Sequence, residues 1–128
     1  QWDATVGWRR IQHDQPFLSQ TNVPIAVTNV VVQFIVGGEG EGQLVGSGDV
    51  WVFSNGQLVK GRWTKASIAE PTQYTDAAGA PLTLTPGRTW VELLPTAFSQ
   101  PPVTPGTAPL PTTTTTTHAV TTTTKKKR

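Results

Sequence analysis

The sequence predicts an all-β fold: a compact, mainly antiparallel β-sandwich or partly open barrel, followed by a disordered Thr/Pro-rich C-terminal tail. Three observations carry this expectation. The run "TNVVVQFIV", Thr28 to Val36, is β-branched and almost uninterrupted, as suits a strand buried on both faces. The stretch "GSGDVWVFSNGQLVKGRW", Gly46 to Trp63, sets Asn55-Gly56 between two alternating runs. Asn-Gly is the strongest short-range hairpin signal, because both residues accept positive φ in a type I′ turn. Finally, residues 1–98 contain no convincing helical period.

Taken in order, "VGWRRIQ" near the start predicts a short strand, and Thr28 to Val36 the central one. "GGEGEG", Gly37 to Gly42, reads as a flexible connection before the hairpin. A short helix over Thr64 to Ala69 is compatible with the residues there. Shorter strands are expected at Tyr74, at "LTL" beginning with Leu82, and at "TWVELL" from Thr89. "TDAAGAP" is a longer loop, and "TPGR", Thr85 to Arg88, places proline then glycine at the centre of a type II turn.

Composition changes after Phe98. Residues 99–128 hold "QPPVTPGTAPLP", two threonine runs and "KKKR", with almost no large apolar side chain. Such a segment buries too little surface to offset its chain entropy. It reads as a disordered, solvated tail; the sharper alternative is a spacer whose cationic end touches an anionic polymer or lipid surface. Residues 1–98 form the one folded domain. They carry six basic and eight acidic side chains, whereas the tail carries four basic and none acidic. A nucleic-acid reader needs its basic residues on a folded face, so nucleic acid is not an expected partner.

The chain has neither cysteine nor methionine. Disulfides and thiolate metal sites are thereby excluded, and Gln1 is expected not to be a translation start, so that any signal or lipid-attachment segment lies upstream. No apolar run approaches the roughly 20 residues needed to span a membrane as a helix.

A two-residue loop at Asn55-Gly56 fixes every pair behind it: Trp51 with Lys60, Asp49 with Arg62, Gly48 with Trp63. Alternation then puts Asp49, Trp51, Phe53, Leu58, Lys60 and Arg62 on one face, and Val50, Val52, Val59 and Trp63 on the other. The second face reads as core, with the Trp63 indole filling the space that Gly48 leaves. The first face has two readings. Asp49–Arg62 is a cross-strand ion pair and Lys60 on Trp51 a cation–π contact, each contributing on the order of 0.5–1 kcal/mol. Alternatively, Trp51 and Arg62 form a platform for a ligand. A second candidate surface lies in "PGRTWVE", where Arg88, Trp90 and Glu92 share a strand face. Arg88 either satisfies the turn and Glu92, or joins Trp90 and Glu92 as a binding patch of the arginine–aromatic kind.

No catalytic set is expected. Gly46-Ser47-Gly48 lacks the nucleophile-elbow spacing, and of the two histidines one lies in the tail. Neither the glycines of "GEGEG" nor the histidines fit a phosphate loop, calcium loop or zinc site. No cofactor or metal is expected.

These residues together carry a resemblance. Asn29-Val30-Val31-Val32-Gln33, Gly46-Ser47-Gly48, Gly61-Arg62-Trp63 and Pro86-Gly87-Arg88-Thr89-Trp90-Val91-Glu92 occur in the order and spacing of the C-terminal domain of the YerB-like bacterial lipoproteins. The likeness covers most of residues 1–95, and the Thr/Pro-rich tail departs from it. It implies an extracytoplasmic, cell-envelope protein of Gram-positive bacteria, held to the membrane by an upstream lipid anchor and bearing a separate N-terminal domain. The family has no known function. The expected role is a non-catalytic binding or scaffolding module that docks on its own N-terminal domain, a cell-wall polymer or an envelope protein. The alternative is a glycan-acting enzyme using Asp49 or Glu92.

Overall fold

A computed structural model describes residues 1–38 and 41–104. Among them are twelve strands and no helix: β1 (Trp2–Asp3), β2 (Gly7–Arg9), β3 (Ile11–Gln12), β4 (Gln15–Pro16), β5 (Ala26–Val27), β6 (Asn29–Ile35), β7 (Gly37–Gly38), β8 (Glu41–Gly42), β9 (Gly46–Ser54), β10 (Gln57–Lys65), β11 (Gln73–Asp76) and β12 (Thr89–Pro95). The all-β class is as the sequence predicts, and the main sheet stays open, with no closed barrel. Its five strands run in the order β11-β10-β9-β6-β12. A smaller sheet, β1-β2-β5, packs on one end of it, where the Trp8 ring meets Phe53 edge-on at 5.2 Å.

The hairpin forms in the register that its turn dictates. Ser54 pairs with Gln57, Trp51 with Lys60, Asp49 with Arg62 and Gly48 with Trp63. Asn55 and Gly56 take φ values of 49° and 73°, as a type I′ turn demands. Strand β6 lies inside the sheet, paired antiparallel with β9 and parallel with β12. Both of its edges are therefore satisfied and both of its faces covered, which is why it tolerates a nearly continuous apolar run.

One face of the main sheet holds the core. Val31, Ile35, Val50, Val52 and Trp63 are all nearly inaccessible, with Tyr74, Leu82 and Leu84 laid against them. A Cβ at Gly48 would stand 2.6 Å from Trp63 Nε1, and that indole donates to Phe34 O at 2.7 Å. The missing side chain thus admits the indole, as the pairing implied. Val59, assigned to this face by alternation, is instead 38% exposed. Asn29 is fully buried within the same layer. Its Nδ2 donates to Thr85 O at 2.8 Å and Thr89 Oγ1 at 3.1 Å, while its Oδ1 accepts from Ser54 Oγ at 2.7 Å and Thr85 N at 3.1 Å.

Four local expectations are corrected. Thr64 and Lys65 end β10 and the chain then bends, so no helix forms over Thr64 to Ala69. "LTL" is not a strand: Leu82 N donates to Tyr74 O at 2.9 Å, but Leu82 and Leu84 serve mainly as an irregular lid on the core. The ends of "GGEGEG" pair with each other, Gly37 with Gly42 and Gly38 with Glu41, as the ribbon β7–β8 instead of remaining a free linker. In "TPGR" the Thr85 carbonyl accepts from the Asn29 amide at 2.8 Å, and Gly87 has φ 143°, far from the roughly 80° of a type II turn. In the tail, residues 99–104 are without regular structure; residues 105–128 lie outside the described residues.

Candidate functional site

The second face of the main sheet gathers what the sequence offered as two separate surfaces. Register joins them through β6: Lys60 pairs with Trp51, Trp51 with Val32, and Val32 with Glu92. The neighbouring row runs Leu58, Phe53, Val30, Trp90. Successive members of a row stand about 4.8 Å apart, so Lys60 and Glu92 lie about 14 Å from each other across one surface. Asp49 and Arg62 continue the face at the far end of β9 and β10. Arg88, just before β12, is exposed at its margin.

Contacts within the face differ from those expected at three points. Trp51 is 6% exposed. The expected cation–π contact forms, with Lys60 Nζ 4.4 Å from its ring centroid, and Phe34 meets it edge-on at 5.2 Å. It is therefore a buried floor under a cation, not a free stacking platform. Glu92 is not paired with Arg88; its Oε2 accepts from Trp90 Nε1 at 2.9 Å. The cation on Trp90 is Arg10, whose guanidinium lies 4.7 Å from that ring centroid and 4.3 Å from Phe17. Asp49–Arg62 forms as the pairing implied, but at 3.4 Å with both side chains more than half exposed. Such a pair contributes at most about 1 kcal/mol.

A cleft of about 370 Å³ opens between the smaller sheet and this face. Trp8, Arg10, Ile25, Phe53, Trp90 and Glu92 are among its walls. The walls are mainly apolar, with Arg9, Arg10 and the carboxylate-bearing Glu92 among them, a composition that suits an amphipathic ligand. No local signal in the sequence singles out Arg10 or Trp8 for this site. In "GWRRIQ" they share a parity, but nothing local says which distant strand that parity faces. At the Asp49 end a smaller hollow of about 290 Å³ lies among Phe34, Asp49, Arg62 and Phe98.

Four cations, Arg10, Lys60, Arg62 and Arg88, stand on or beside this face against the two carboxylates Asp49 and Glu92. Residues 1–98 as a whole hold more acids than bases, so charge is segregated toward the face. As for chemistry, Ser47 Oγ meets Arg62 Nη2 at 3.5 Å, whereas His13 occupies the left-handed turn between β3 and β4. Asp49 and Glu92 are two strands and two residues apart, about 12 Å between Cα atoms by ordinary strand spacings. Arg62 holds Asp49 on the side away from β12.

Comparison with known proteins agrees with the resemblance read from the motifs. The chain matches the family described as "Protein of unknown function (DUF3048) C-terminal domain" over residues 1–91. Among solved structures it is similar to the YerB protein from Bacillus subtilis, with 21% identity and a TM-score of 0.47 over 59% of this chain. The aligned part is 27% of that YerB chain, so the sequence spans about a quarter of it. No curated protein matches. With most of its length covered by the family, the chain belongs to the DUF3048 C-terminal domain family, the YerB-like C-terminal domains of unknown function.

Proposed function

We propose that this domain is a non-catalytic extracytoplasmic binding module of a cell-envelope lipoprotein, held at the membrane of a Gram-positive bacterium by an upstream lipid anchor. Its binding surface is the face built on β9, β10, β6 and β12. The ligand class the face favours is an anionic cell-wall polymer; an acidic surface of the N-terminal domain or of an envelope protein has the same chemistry. One observation carries the proposal: two indoles on one sheet face are each covered by a cation, Lys60 on Trp51 and Arg10 on Trp90. A cation already lying on an aromatic ring obstructs stacking by a neutral sugar on that side. It also offers a positioned positive charge, held at low entropic cost, to a phosphate or carboxylate.

Titration with polyanionic and with neutral wall fragments, read by tryptophan fluorescence, tests the proposal. Polyanionic fragments are expected to bind in a salt-dependent way, and Arg10→Ala or Lys60→Ala to weaken binding about tenfold, in keeping with loss of a charge-assisted contact of about 1.4 kcal/mol. Binding of neutral glycan alone, or binding indifferent to both substitutions, would count against it. Turnover of glycan abolished by Asp49→Asn or Glu92→Gln would establish the enzymatic alternative instead.

A further inference from the structure

Strand β12 is one edge of the main sheet, with β6 as its sole strand neighbour among the described residues. In a parallel ladder alternate residues turn their N–H and C=O toward the same neighbour. Asn29 N donates to Arg88 O at 3.1 Å and Thr96 N donates to Ile35 O at 2.8 Å. The even-numbered residues therefore bond inward to β6, and Thr89, Val91 and Leu93 turn both backbone groups outward. Pro95 turns out a carbonyl and no N–H. The opposite edge is different: β11 is short, and the returning chain bonds to it through Asp76 N to Ala80 O at 2.8 Å and Leu82 N to Tyr74 O at 2.9 Å.

Natural edges are usually blunted by lysine, by bulges or by early proline. Strand β12 pairs without a bulge from Thr89 to Pro95, contains no lysine, and keeps its proline for the last position. Val91 and Leu93 are 48% and 42% exposed beside the outward backbone groups.

We infer that β12 pairs with itself: two copies of this chain associate through an antiparallel β12–β12 contact centred on Val91, extending the sheet across a twofold axis. The residues of the strand select both the occupant and the register. Centred on Val91, the outward residues Thr89, Val91 and Leu93 meet Leu93, Val91 and Thr89 of the second copy, and every outward N–H finds a carbonyl. Glu92 falls opposite Trp90 of the second copy, whose indole N–H already has a carboxylate as its partner within the chain. Pro95 falls opposite Gly87, beyond the end of the strand, where its missing N–H removes no ladder bond. Centring on Glu92 would set two carboxylates face to face and Pro95 against Thr89, with loss on both counts. A strand from another protein would use the same backbone groups, but nothing would then require this strand to match its own reverse. The contact is small compared with the roughly 1,000 Å² of a stable interface, so the dimer is reversible and concentration-dependent.

The 128-residue chain has no cysteine, so Val91→Cys introduces a unique thiol on the proposed axis. Its Cα would lie about 5.5 Å from its twin, as in any hydrogen-bonded antiparallel pair. A short bifunctional maleimide is expected to link Val91→Cys into dimers at least fivefold faster than it links Ile68→Cys, an 87% exposed position at the other end of the sheet. Sedimentation of the unmodified chain should show a mass rising toward that of a dimer with concentration. Val91→Pro removes the outward donor and leaves the bonds to β6 intact, and should hold the chain monomeric; Leu93→Lys should do the same by charging the edge. A monomer at every concentration, equal linking of the two cysteine variants, or a dimer indifferent to both Val91→Pro and Leu93→Lys would overturn the inference. None of these outcomes bears on the binding reading of the sheet face.

Discussion

At the scale of single residues, Asn29 shows how one buried polar group is made tolerable. Its amide has two donors and a carbonyl able to accept twice, and all are used on Thr85, Thr89 and Ser54. The side chain thereby fastens β6, the end of β9 and the loop before β12 to one point. Asn29→Ala would strand the Thr85 amide and carbonyl in the interior. We expect it to lower stability by about 2–4 kcal/mol, read as a lower urea midpoint with unchanged slope. Asp3 offers a test by pH. Bonds from Thr5 N at 2.8 Å and Val6 N at 3.2 Å, with Arg9 Nη2 at 2.6 Å, favour its carboxylate and hold its pKa below the usual 3.8. The folded state then binds fewer protons than the unfolded state in the window below that value. The contribution of Asp3 is present above pH 3.8 and lost as pH falls through the depressed folded value. Asp3→Asn should flatten that part of a melting-temperature profile.

At the scale of elements, the β9–β10 hairpin was legible because its determinants are local. Two residues set the turn, the turn sets the register, and alternation sets the faces. What the hairpin touches was not legible. A Cβ on Gly56 would stand 2.6 Å from the Trp2 indole nitrogen, so the turn also seats the first strand of the smaller sheet. Gly56→Ala is accordingly expected to cost more than the 1–2 kcal/mol of left-handed strain alone, whereas Asn55→Gly should stay within about 0.5 kcal/mol. Thermal unfolding of the pair of variants separates turn strain from the Trp2 contact. The loop before β12 misled for the opposite reason. Pro86-Gly87 is a turn signal, but Thr85 O bonds to an amide 56 positions away in the chain, and that contact decided the backbone path.

At the scale of the whole molecule, the main sheet makes one surface from two distant sequences. Trp51 with Lys60 and Trp90 with Glu92 become neighbours because β6 stands between β9 and β12. The parallel β6–β12 pairing links Asn29 to Thr89 across the intervening hairpin, a connection no short-range signal announces. Arg10 then arrives on Trp90 from the smaller sheet. The folded unit predicted over residues 1–98 also bears on the tail: deleting residues 99–128 should leave the melting temperature within about 2 °C, because the segment lacks the apolar area that stabilises a fold. A drop of many degrees in differential scanning calorimetry would mean that the tail is docked.

The sequence by itself determined the all-β class, the hairpin register, the interior place of strand β6 and the seating of Trp63 beside Gly48. Each depends on turn chemistry, alternation or the size of one side chain, quantities that operate over a few residues. Tertiary structure alone decided that β12 runs parallel beside β6, that Arg10 covers the Trp90 indole, and that Asn29 is an interior junction. Every strand presents the same backbone donors and acceptors, so those groups carry no address for a distant neighbour; the address comes from how whole faces pack once the chain has closed.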